Sequence, residues 1–91
     1  MPSIAISRKH AKPVADGRKA INRLAKAIAD RFDVEYGWEG NTLHFERSGV
    51  NGRIALGKGT IEVHAELSFL LTPLKASIER EIERQLDKEF G

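Results

Sequence analysis

Val34 to Val63, VEYGWEGNTLHFERSGVNGRIALGKGTIEV, decides the fold. Val34, Tyr36 and Trp38 face one way while Glu35, Gly37 and Glu39 face the other, which is the alternation of a strand with one buried side. Gly40-Asn41 can supply the positive φ angles of a two-residue hairpin turn. Folding the chain there sets Trp38 opposite Leu43 and Tyr36 opposite Phe45, so the apolar faces of the two strands coincide. A second turn at Ser48-Gly49 sets Leu43 opposite Ile54 and Phe45 opposite Gly52. A third at Lys58-Gly59 sets Leu56 opposite Ile61 and Ile54 opposite Val63. Three turns make a four-stranded meander. The same pairing aligns the polar positions, so the open face is expected to carry a row of Gly37, His44, Arg53 and His64, flanked by Glu46, Asn51 and Glu62.

Upstream, Ser3 to Ser7 alternates around Ile4 and Ile6 as a short strand. From Pro13 the period changes. Val14, Ile21, Leu24, Ala25, Ile28 and Phe32 share one stripe of a helix running to about Asp33, with Pro13 suited to the first turn and Gly17 weakening it. The opposite side carries Lys12, Lys19, Arg23 and Lys26, a basic ridge left outside if the stripe is core. Downstream, Thr72 is placed as an N-cap with Pro73 as the first helical residue. Leu74, Ile78, Ile82, Leu86 and Phe90 then recur every four residues in a highly charged helix, a narrow stripe that suits a surface helix on a sheet or half of a helix pair. Phe69-Leu70-Leu71 sits between the last strand and this helix, where three large apolar residues cannot all turn inward.

The expected fold is α+β in the order β-α-β-β-β-β-α: an antiparallel sheet, strand order 2-3-4-5-1, with two helices packed on one face. The first strand runs with the second and against the fifth, which favours antiparallel pairing with the fifth. A parallel β-α-β unit with the second strand is the alternative.

With 91 residues, the chain has the size of one domain, 1–91, and little depth for an enclosed site. Having no cysteine, it can form neither a disulfide framework nor a thiolate site. Met1 to Ala11 carries Arg8, Lys9 and His10 where a signal peptide needs apolar residues, and no run reaches the length of a membrane span, so a cytoplasmic location is expected. Charge is segregated. Residues 1–32 hold eight Lys and Arg against Asp16 and Asp30, and residues 33–91 hold seven against eleven acids, giving about +6 and −4. Opposite fields of this kind attract an anionic partner or a second copy.

Catalytic, cofactor and metal sites are not expected. His44 and His64 lie two strands apart with Arg53 between them, and Glu46 and Glu62 lie on an open face without the burial that tunes an acid–base pair. The glycines at 49, 52, 57 and 59 follow hairpin spacing rather than opening a helix, so no phosphate loop is present. No base-reading residue stands within the ridge Lys12, Lys19, Arg23 and Lys26, which argues against nucleic acid. Tyr36, Trp38 and Phe45 could line a groove for a small apolar ligand, or simply be core.

Three stretches together carry a resemblance to a known family: Glu35 through Phe45, Arg47 through Ile54, and Leu67 through Leu74-Lys75 into Ile78-Glu79-Arg80-Glu81-Ile82. The aromatic hairpin, the glycine turn and the Leu-Leu-x-Pro-Leu-Lys junction occur in order over nearly the whole chain. In this the chain resembles the polyhydroxyalkanoic acid system proteins, small bacterial proteins found with genes for polyester storage granules. The resemblance implies a role near granule formation or regulation and brings no catalytic residues. Two expectations follow. Either the protein is a granule-associated accessory touching polymer or a granule protein through Phe69, Leu70, Leu71 and an apolar seam on the last helix, or it is a soluble module whose basic first helix meets an acidic partner. A homodimer through a sheet edge or through the Leu74 to Phe90 stripe suits both.

Overall fold

Gly40, Gly49 and Gly59 have φ of 61°, 87° and 83°, and the three hairpins of the computed structural model close on them. Residues 3–90 are described, so Met1 and Pro2, the start of the segment read for a leader, lie outside. At the first turn only Gly40 of the Gly40-Asn41 pair has positive φ, the pattern of a II′ turn rather than one with both residues left-handed. The strands are β1 (Ser3–Lys9), β2 (Glu35–Glu39), β3 (Thr42–Arg47), β4 (Val50–Gly57) and β5 (Thr60–Leu67); the helices are α1 (Val14–Phe32) and α2 (Thr72–Phe90).

The register is the one the alternation requires. Trp38 faces Leu43, Tyr36 faces Phe45, Leu43 faces Ile54, Phe45 faces Gly52, Ile54 faces Val63 and Leu56 faces Ile61. The polar row is continuous across Gly37, His44, Arg53 and His64, and it ends at Ala5. β1 pairs antiparallel with β5, setting Ile4 against Ala65 and Ile6 against Val63, so the sheet runs β1-β5-β4-β3-β2 and the parallel alternative is not formed.

Both helices pack together and against one face of the sheet. Ile21, Leu24, Ala25 and Ile28 of α1 and Ile78, Ile82 and Leu86 of α2 are buried with Ile4, Leu43, Phe45, Ile54, Ile61 and Val63. Arg23 meets Glu89 and Arg31 meets Glu81, so the helices run antiparallel.

Several details depart from the sequence pattern. Val14, at the start of the α1 stripe, is exposed, and the helix meets the sheet one turn later at Gly17. A Cβ on Gly17 would stand 3.1 Å from Leu56 Cδ1, so this glycine sets how closely α1 approaches β4, beyond its cost to the helix. Pro13 occupies the N-cap position, outside the first turn. Tyr36 has 41% of its surface exposed although it lies on the inner side of β2, because β2 is the edge strand and the helices do not reach over it there. Thr72 is not an N-cap acceptor. Its backbone is already helical, and its Oγ1 donates back to the carbonyl of Phe69 at 2.8 Å, because a 3₁₀ turn over Phe69–Leu71 runs straight into α2. The Leu74 to Phe90 stripe is covered by the chain's own sheet and α1, which removes it both as a dimer face and as a granule-contacting seam.

Candidate functional site

The corner between β5 and α2 has the largest apolar exposure among the described residues. β5 ends on the buried Leu67, and Ser68 turns the chain away in an extended conformation. The N–H of Ser68 donates to Gly49 O at 2.8 Å, tying the corner to the β3–β4 turn, and the N–H of Leu71 donates to Ser68 O at 2.9 Å. A 3₁₀ turn has about three residues per turn and so sends successive side chains about 120° apart, which allows one of three to point inward. Leu71 is that one. Its Cδ1 lies where a Cβ on Gly49 would stand 2.6 Å away, and it packs on the core. Phe69 and Leu70 are left 82% and 86% exposed. The three residues expected to act as one apolar contact therefore divide into two exposed tips and one anchor.

The basic ridge divides as well. Arg23 donates to Glu89 Oε1 from Nε at 3.0 Å and from Nη2 at 2.7 Å. Lys12 lies with Nζ 6.0 Å from the centroid of Phe90. Lys19 and Lys26 are exposed and make no ion pair among the described residues. The charge segregation along the chain thus closes in part on itself: Arg8 meets Asp87, Arg23 meets Glu89 and Arg31 meets Glu81. Hydrogen bonds from Arg23 hold the Glu89 carboxyl below the usual carboxylate range against the opposing effect of burial. At Glu81 burial pushes the carboxyl up, but donors on Gln85, Arg31 and Arg84 together outweigh it and leave it low. Nothing in the periodicity marks Glu81 or Gln85 as buried, because both stand beside the apolar stripe in positions that read as solvated.

On the open face, His44 Nε2 lies 3.8 Å from Glu39 and His64 Nε2 3.7 Å from Glu66, with Arg53 between the two imidazoles. Among the described residues no three His, Cys, Asp or Glu side chains gather as a metal-ligand group. The aromatic trio also separates. Phe45 is core and Tyr36 is exposed. Trp38 is held between, its Nε1–H donating to Asn22 Oδ1 at 2.6 Å and its ring covered by the Arg18 guanidinium at 4.1 Å. Arg18 also donates to Gly40 O at 2.6 Å, so it clips the hairpin to α1. The furrow at this edge of the sheet is lined by Glu35, Glu39, His44, Glu46 and Asn51 as well as by Tyr36, Trp38 and Phe45, a lining of mixed polar and apolar character.

No helix among the described residues is long and apolar enough to cross a membrane. A family model described as "Putative polyhydroxyalkanoic acid system protein" matches residues 4–90. No curated protein matches the chain.

Proposed function

The chain belongs to the polyhydroxyalkanoic acid system protein family, and from that premise we propose that it is a non-enzymatic accessory of the polyester storage system, associating with granules or granule proteins through Phe69 and Leu70. The observation that carries this reading is the exposure of those two adjacent side chains, 82% and 86%, on a turn pinned by Thr72 and anchored by Leu71. Large apolar groups held outward by a fixed turn lose little conformational freedom on contact, and desolvating them favours an apolar surface. The soluble-module reading, in which α1 meets an acidic partner, rests on Lys19 and Lys26 now that Arg23 is engaged by Glu89. The two readings differ in salt response, since apolar contact survives salt and exposed charge contact does not.

The test is co-sedimentation of the purified protein with native polyester granules at low and at high salt, beside a Phe69→Ser, Leu70→Ser variant that keeps Leu71. Binding that persists at high salt and disappears in the folded variant supports the apolar contact. Absence of binding at either salt, or equal binding by the variant, overturns it.

A further inference from the structure

We infer that the outer seam between α1 and α2 binds a phosphate group, held by Arg31, Arg80, Arg84 and Ser77. The seam is built around Glu81. With only 5% of its side chain exposed, Glu81 accepts hydrogen bonds from Arg31 Nη1 at 2.8 Å, Arg84 Nε at 3.2 Å and Gln85 Nε2 at 3.2 Å. The buried carboxylate therefore acts as an internal anchor, fixing one guanidinium from each helix at the mouth of the same cleft. Each guanidinium has five N–H donors. Glu81 takes one from Arg31 and at most two from Arg84, and both side chains remain more than half exposed.

Arg80 stands one turn before Arg84 and makes no ion pair among the described residues. Together with Ser77, these groups line a cleft of about 150 Å³ in which three guanidiniums face a single carboxylate. The residual charge is +2. Like charges four residues apart on a helix disfavour it, so the Arg80 and Arg84 pair is a cost to the free chain. An anion seated among them turns that cost into attraction. Planar forked donors match the oxygens of a phosphate, the two residual charges match its dianion, and the Ser77 hydroxyl adds a donor at the rim. This site is separate from the Phe69 and Leu70 corner and from the ridge Lys12, Lys19 and Lys26, and it does not rest on granule association.

The phosphate group could be free or part of a lipid headgroup, and two arms separate these sources. In the first, the full chain is titrated with inorganic phosphate at neutral pH and constant ionic strength, with chloride as the reference ion, following the arginine Nε–H NMR signals. Saturating shifts at Arg31, Arg80 and Arg84 with phosphate and not with chloride are expected. Affinity should fall about tenfold in Arg80→Gln and in Arg84→Gln, the scale of one charge-assisted hydrogen bond, and stay unchanged in Lys19→Gln. Among the described residues the Arg80 side chain makes no ion pair or hydrogen bond that the substitution would remove, so Arg80→Gln keeps its fold, which circular dichroism verifies. In the second arm, sedimentation uses phosphatidylcholine vesicles with about 20% phosphatidic acid, where an anionic surface attracts cationic side chains. Binding there that is lost in Arg80→Gln and kept in Phe69→Ser, Leu70→Ser assigns the phosphate to a headgroup. The inference is overturned by the absence of both a saturable phosphate response and Arg80-dependent vesicle binding. Equal affinities in wild type and both arginine variants overturn it as well.

Discussion

The ring of Phe45 lies across the backbone of Gly52, so close that a Cβ on Gly52 would stand 2.3 Å from Phe45 Cζ. The pair faces across β3 and β4, and the missing side chain is the space the ring occupies. Gly52→Ala should therefore destabilise the protein by about 1–3 kcal/mol, the usual range for overpacking a core. Phe45→Leu in the same chain should recover part of that loss. Urea unfolding of both single variants and the double variant checks the coupling, and additive effects would refute it.

Phe69 and Leu70 should contribute little to stability, and Leu71 more. Substituting either exposed tip with Ser should change unfolding free energy by no more than about 0.5 kcal/mol. Leu71→Ser should cost about 1–2 kcal/mol, since it removes a half-buried side chain from the core edge. Thermal melts of the three variants test whether the corner is an anchor with two free tips or a single packed unit.

Acid should loosen the contact between the two helices. Glu81 and Glu89 both have carboxyl groups held below their ordinary value in the folded chain. A group depressed in this way adds stability that is fully present above its unfolded pKa, here the ordinary value of 4.5, and lost as pH falls through the folded one. Stability should thus fall as pH drops below about the ordinary carboxyl range. A Glu81→Gln, Glu89→Gln variant should show a flatter acid limb. Urea midpoints measured across that range for wild type and variant give the comparison, and identical slopes would refute the assignment.

Trp38 is the only tryptophan, so its emission reports on the clip that joins the first hairpin to α1. Arg18→Ala removes the stacked guanidinium and the bond to Gly40 O, and should cost about 0.5–1 kcal/mol for a partly exposed cation–π contact. Emission should shift to the red, and amide exchange should quicken in β2 ahead of the other strands. Unchanged emission would mean that Arg18 does not cover the ring in solution.

The sheet was legible because its signal is redundant: every turn glycine and every alternating pair, from Trp38 with Leu43 to Ile54 with Val63, demands the same register. The helices were legible as stripes for the same reason. What one dimension hides is how two elements meet. Gly17 reads as a weak point in a helix and is instead the place where α1 touches Leu56. Glu81 reads as solvated and is the centre of the seam between the helices. Phe69 and Leu70 were identifiable as a candidate contact from the crowding of large residues at a junction. The separation of Leu71 from them depends on the pitch of a 3₁₀ turn, which no residue type announces. Arg23 belongs on the basic ridge by spacing, and only the antiparallel passage of α2 brings Glu89 within its reach.

The adjacency of β1 and β5 also sets a timetable. During synthesis β1 emerges first and has no partner strand until Thr60–Leu67 follows, and α1 has no sheet to cover while β2 to β5 are still being made. The apolar stripe of α1 stays open through that interval. Pairings between such distant segments form late and slowly. Assembly of this chain therefore waits for β5, and a nascent chain stalled before Leu67 exposes the same apolar residues that the finished protein hides.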